Sequence, residues 1–339
     1  MSEVREASAS IRYGENRPSG AGHDLITMGR VSVDIYPLQT GVGLEDVETF
    51  GKYLGGSPTN VAVAAARHGR DTAVITRTGD DPFGRFIHRA LREYGVDDRF
   101  VTAVPGLPTP LAFCEIFPPD DFPLYFYRYP KAPDMEIQAG ELDYDAIRKA
   151  KVFWATVTGL SEEPSRSATL AALEAHDGTT VLDLDYRPMF WSSPDDARHW
   201  VDKALGHVAV AVGNQEECAV AVGEGDPRRA ADALRARGVR LAIVKQGPKG
   251  VLAVDDEGVV EVPPVPVQVV NGLGAGDAFG GALCHGLLAG WDAGRMLRFA
   301  NAAGAIVASR LACSAAMPHG DEVAALLSDG AASQEVRRP

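Results

Sequence analysis

The run Gly274-Ala275-Gly276-Asp277 combines residues that could hold an anion with one that could take a proton. Gly274, Ala275 and Gly276 keep side chains out of the way, so backbone N–H groups can converge on an oxyanion. The small, apolar stretch 278–288 reads as a buried helix. Its N-terminus would add a partial charge of about +0.5 e at the same place. A carboxylate beside a phosphate serves binding poorly. It serves well to accept a proton from a hydroxyl that attacks phosphorus, and this makes Asp277 a candidate base. A tight turn with Asp277 as an ordinary helix cap reads the same residues without chemistry, so the rest of the chain must decide.

Further polar residues fall where strands should end. Asp34 follows the apolar run Leu25–Val33, and Gly55-Gly56 precede Asn60 at the start of an Ala/Val-rich helix. The glycine pair would let a polyol approach the backbone, and Asp34 and Asn60 could bond its hydroxyls. Asp183, Asp185 and Arg187 should emerge together after another strand, suited to phosphate or hydrated Mg²⁺, or forming only a solvated turn. Asn214 and Glu217 have the spacing of a capping box; holding hydrated Mg²⁺ through water is the alternative for Glu217. Lys245, with Gly247 and Gly250, follows a strand where backbone could approach a nucleotide, or where a plain hairpin could turn.

The elements needed to hold these residues alternate along the chain. Strands are expected at 25–33, 72–76, 152–156, 179–184, 208–212 and 240–245, and helices at 59–68, 82–94, 164–176, 194–205, 215–222 and 228–237. This order predicts an α/β fold, a mostly parallel sheet between helical layers, with ligands at the carboxyl ends of the strands. Segments 36–54 and 109–129 break the alternation and read as a small antiparallel β lid over that edge. One domain is expected over 23–328, with flexible tails at 1–22 and 329–339.

The 339 residues carry a net charge of −13, so binding to nucleic acid or to an anionic membrane is not expected. No apolar run is long enough to span a bilayer, and residues 1–22 lack a signal peptide's apolar core. The four cysteines form no CxxC pair and read as reduced core thiols, which fits a cytoplasmic protein. Walker A and protein-kinase signatures are missing.

Together, Gly55-Gly56 with Asn60, the Asn214/Glu217 pair and Gly274-Ala275-Gly276-Asp277 resemble the ribokinase-like, or phosphofructokinase B-type, carbohydrate kinases across nearly all of 24–320. The resemblance implies a three-layer α/β/α fold and transfer of the ATP γ-phosphoryl group to a sugar hydroxyl with Mg²⁺. It implies Asp277 as base, the 274–277 backbone as anion hole, Asn214 and Glu217 organising Mg²⁺ and phosphates, and Gly247, Gly250 and the stretch around Asn301 beside adenine. The segments 29–37, 118–134 and 183–191 resemble the branch that acts on a sugar acid of inositol catabolism, which needs a cation for the carboxylate. Arg128 and Lys131, just after the lid hairpin, are the first candidates, with Arg30 and Arg187 as others. The competing substrates are 2-keto-3-deoxygluconate, fructose and ribose; a non-catalytic sugar or nucleotide sensor is the reading from another class. Many members carry Asp and Thr where this chain has Asn271 and Leu273, which leaves dependence on a monovalent cation open, and Asp185 replaces a common Asn. The apolar lid residues Phe113, Phe117, Tyr125 and Tyr127 suggest a homodimer.

Overall fold

A computed structural model describes residues 22–335, with backbone only for 329–335. Within it, strands β1 (Leu25–Met28), β4 (Thr72–Gly79), β9 (Val152–Thr156), β10 (Thr179–Asp183), β11 (Val210–Asn214) and β12 (Leu241–Lys245) run parallel in the order β12-β11-β10-β9-β1-β4. Strands β5 (Val96–Asp97) and β6 (Val101–Val104) both pair parallel with β4. At the far edge β13 (Val251–Val254) and β14 (Val259–Val262) add antiparallel. Central strands such as β1 (LITM) and β9 (VFWAT) are buried along their whole length. That is why they read as continuous apolar runs: a parallel sheet covered on both faces has no wet side.

Two apolar clusters, one on each face, complete the three layers. Helices α1 (Ser57–Arg67), α8 (Ala275–Leu288) and α9 (Ala293–Ala308) lie on one face. Helices α4 (Ser165–Ala175), α5 (Pro194–Leu205), α6 (Gln215–Val222) and α7 (Pro227–Arg235) lie on the other. Small residues set the spacing of α1 and α8. A Cβ on Gly281 would sit 2.3 Å from Ala64 Cβ, and one on Gly280 would sit 2.6 Å from the Trp154 ring. This close approach brings the first turns of the two helices together.

The lid is a second sheet, ordered β3-β2-β7-β8, from β2 (Ser32–Pro37), β3 (Phe50–Gly55), β7 (Leu111–Cys114) and β8 (Leu124–Tyr127). Two expectations change here. The run 25–33 is two strands in two sheets: the chain leaves the main sheet at Met28, and β2 starts at Ser32. Asp34 is therefore a lid residue, where the sequence placed it at the end of a main-sheet strand. The lid is also mixed and not wholly antiparallel, because β2 pairs parallel with β7. Helix α10 (Gly320–Glu335) enters the stretch 329–339 expected as a tail, while residues 1–21 and 336–339 of the two expected tails lie outside the described residues. Among the described residues no helix is long and apolar enough to cross a membrane, and all four cysteines are free and buried.

Candidate active site

Beneath the lid, at the carboxyl ends of the parallel strands, lies a cavity of about 250 Å³. Gly274 is the N-cap of α8, in the left-handed region at φ 82°. A Cβ there would meet Cys313 Sγ at 2.6 Å, so both backbone and packing demand glycine. The helix begins at Ala275, three residues earlier than the sequence reading placed it, which puts Asp277 in its first turn. Gly274, Gly276 and Asp277 line the cavity. Lys245, at the end of β12, reaches the same place: a Cβ on Gly276 would lie 3.3 Å from its Nζ.

Asn60, in α1, donates through Nδ2 to Asp277 Oδ2 at 2.7 Å. Its own Oδ1 lies 2.5 Å from Ser314 Oγ, which is also 2.8 Å from the Leu54 carbonyl. The amide is thereby fixed with its NH₂ toward Asp277. Burial raises the pKa of Asp277, while the Asn60 hydrogen bond and Arg30 act to lower it. On the lid, buried Asp34 accepts from Ser32 Oγ at 2.7 Å and Tyr36 OH at 3.1 Å. Gly55 gives it room, since a Cβ there would overlap the carboxylate at 1.9 Å; Gly56, at φ 100°, lines the cavity itself.

Asp185 is held from two sides. Arg187 donates to Oδ1 at 2.6 Å and Arg30 to Oδ2 at 3.3 Å. Burial opposes its ionisation, but the two guanidinium groups prevail and lower its pKa. With arginine in contact with both oxygens, Asp185 positions cations in this arrangement, and the metal role read from the sequence would have to share an oxygen with a guanidinium. Asp183 behaves oppositely. Burial, with Asp185, Glu217 and Asp277 nearby, pushes it up to about 8 although Lys245 pulls the other way.

The capping box is real: Glu217 N–H donates to Asn214 Oδ1 at 2.8 Å, and Asn214 N–H to Glu217 Oε2 at 2.7 Å. Glu217 Oε1 is 3.7 Å from Arg187 and faces the cavity side. The cavity wall holds five carboxylates (Asp34, Asp183, Asp185, Glu217, Asp277) against three cations (Arg30, Arg187, Lys245). Among the described residues no cluster makes a closed metal cage. With Asp183 protonated, four carboxylates still face three cations, and Glu217 Oε1, whose contact to Arg187 is a long one, suits a hydrated divalent ion carried in with phosphates.

Several expected site residues lie elsewhere. Arg128 and Lys131 line a neighbouring cavity of about 490 Å³, not the one with Asp277. Arg128 is paired at 2.6 Å with the fully buried Asp134. Lys131 is paired with Glu136 at 2.7 Å and donates to the Glu163 carbonyl at 2.8 Å. Gly247 sits in an exposed turn. Gly250 is demanded by packing, since a Cβ would lie 2.1 Å from the Val262 carbonyl, and Asn301 donates to the Pro263 carbonyl at 2.8 Å. Both therefore border residue 263, outside the cavity that Asp277 lines. Asn271 is fully buried, its amide donating to the Leu311 carbonyl and accepting from the Leu273 N–H, so it ties the cradle loop down. Sequence reasoning missed Ser314, Tyr36 and Cys313. Tyr36 OH lies 2.8 Å from Cys313 Sγ, and nothing local in a Cys-Ser pair within the 311–317 loop signals these contacts.

Residues 23–320 match the family model described as pfkB family carbohydrate kinase. The chain is 32% identical to a 5-dehydro-2-deoxygluconokinase of Clostridium tetani, over 92% of this chain and 94% of that protein. It is 34% identical to one of Geobacillus kaustophilus, over 87% and 90%. The structure of a fructokinase with bound ATP from Xylella fastidiosa superposes with a TM-score of 0.80 at 25% identity, covering 91% of this chain and 99% of that one. With its α/β sheet, glycine cradle and buried carboxylate, the chain belongs to the pfkB family of carbohydrate kinases and is a sugar kinase by family.

Proposed function

We propose that the chain phosphorylates a sugar acid, 5-dehydro-2-deoxy-D-gluconate, giving its 6-phosphate at the expense of ATP in inositol catabolism. The observation that carries the chemistry is Asp277, fixed by Asn60 at 2.7 Å in the first turn of the helix that the glycine cradle opens. The curated relatives of that name support the substrate. Asp277 takes the proton of the substrate hydroxyl as its oxygen bonds to the γ-phosphorus, and the bond from that phosphorus to the ADP oxygen breaks. Its raised pKa keeps it a more competent base than a free aspartate. Backbone N–H groups at 274–277 and Lys245 meet the charge that builds on the phosphoryl oxygens. Mg²⁺, when bound with the nucleotide, supplies neutralisation of phosphate charge, and Glu217 would hold its hydration shell. Asp34 and Asn60 bond the sugar hydroxyls; Asn214 and Lys245 face the phosphates, and the 247–250 turn and Asn301 flank the base.

The outer lid face carries Phe50, Phe113 and Tyr127 packed edge to face, with Phe50 and Tyr127 exposed. A second copy covering this face would make the homodimer, and light scattering showing a monomer at micromolar concentration would refute it. A cytoplasmic location fits the reduced thiols and ATP use. Coupled ADP-release assays with 5-dehydro-2-deoxygluconate, 2-keto-3-deoxygluconate, fructose and ribose test the substrate. Turnover confined to a neutral sugar would overturn the acid while leaving the kinase.

A further inference from the structure

Arg30 stands on the link between the two sheets and lines the cavity that holds Asp277. It is 7% exposed, and its guanidinium lies 5.6 Å from the Phe126 ring centroid of the lid. A guanidinium has five N–H groups. Here the contact to Asp185 is long at 3.3 Å, and Nε is buried without a partner, as is Nε of Arg187. Buried polar groups are almost always satisfied, so a cavity-lining guanidinium held by one long hydrogen bond calls for an acceptor that arrives with the ligand. The other cations are differently placed. Lys245 sits against the glycine cradle, and Arg187, tightly engaged at 2.6 Å with the other oxygen of Asp185, extends to Glu217 beside the Asn214 cap, so both are committed toward the phosphate end. Arg128 and Lys131 are already paired outside the cavity. Arg30 instead lies between Phe126 and the Asp34 strand, at the sugar end.

We propose that Arg30 recognises the carboxylate of the sugar acid and sets the preference for an acid over a neutral substrate. The inference rests on the substrate reading above. A planar fork meets a carboxylate with two parallel N–H bonds, which no hydroxyl can reproduce. Asp185 then serves as the fixed point that aims the fork, and Phe126 excludes the water that would compete for it.

The test compares kcat/KM for 5-dehydro-2-deoxygluconate and for its neutral methyl ester, in the wild type, Arg30→Gln and Arg30→Lys, at saturating Mg-ATP. The wild type should favour the acid. R30Q should lower the acid-to-ester ratio on the order of 10²-fold, the scale of removing one partner of a buried charge pair. R30K, a charge without the fork, should recover part of it. A ratio unchanged in R30Q, or equal losses on acid and ester, would overturn the inference, since Arg30 would then only support Asp185. Should thermal unfolding show R30Q unfolded, R30K alone decides: a ratio equal to that of the wild type refutes the fork. A wild type that turns over neutral sugars but not the acid would overturn the substrate reading and this inference with it, an outcome visible before any variant is made.

Discussion

Asp277→Asn should separate proton transfer from everything else in the site. The substitution keeps the side chain's size, and the new amide oxygen can still accept from Asn60 Nδ2, now at 2.7 Å from Oδ2. The cradle at Gly274 is held by its own φ of 82° and by Cys313, neither of which touches the removed charge. What is lost is the proposed base. General-base catalysis is worth roughly 10²–10⁴-fold, so kcat should fall by that factor, about 2.7–5.5 kcal/mol of barrier, while the KM for sugar and ATP moves little. Stability should move the other way. Burial disfavours the ionised Asp277, and it is one of five cavity carboxylates, with Asp185 the neighbour that opposes its charge and Asp183 protonated. Removing that charge at neutral pH relieves the repulsion, so the unliganded variant should melt higher than the wild type. Coupled ADP release and thermal unfolding measure the two effects. A kcat within a few-fold of the wild type would refute Asp277 as base. A large loss accompanied by a lower melting point would show that the carboxylate supports the fold, and would refute the electrostatic reasoning.

Gly274→Ala should impair turnover far more than Gly276→Ala: the first is strained at φ 82° and collides with Cys313, about 1–2 kcal/mol from the backbone alone, while the second meets only the mobile tip of Lys245 at 3.3 Å. Equal losses in steady-state kcat would show that the cradle geometry does not matter. Asp183 keeps its proton in the fold up to about 8, against 3.8 for its ordinary value, so the native state binds more protons than the unfolded state between those values. Stability of the unliganded protein should therefore fall as pH rises through that window, and Asp183→Asn should flatten the fall, read as melting temperature against pH. Ser314→Ala frees the Asn60 amide to rotate, and a drop in kcat of about 5- to 10-fold, one hydrogen bond's worth, with little change in ATP KM is expected from steady-state kinetics. Arg128→Met should leave the KM for the sugar acid unchanged but cost about 3–5 kcal/mol in denaturant unfolding, because Asp134 would be left buried and unpaired.

What the sequence determined by itself is whatever depends on neighbours along the chain. Buried parallel strands such as Val152–Thr156 appear as apolar runs, and helices such as Pro194–Leu205 and Gln215–Val222 carry their own caps, so their bounds were legible. The cradle and its carboxylate were legible too, because three small residues and an acid at a helix start are a local pattern. The tertiary structure decided whatever depends on a partner far along the chain. Apolar periodicity records that a segment is buried but not in which sheet, so the break between Met28 and Ser32 and the parallel β2–β7 pairing were invisible. Charges show their sign but not their partner: Arg128 and Lys131 were spoken for by local acids, while Arg30 was brought to Asp185, 155 residues away, with N–H groups to spare. The Asn60–Asp277 bond spans 217 residues, and it forms because Gly281 lets α8 close on Ala64 of α1. That contact follows from packing two helices of small residues against one sheet, and no motif around either residue encodes it.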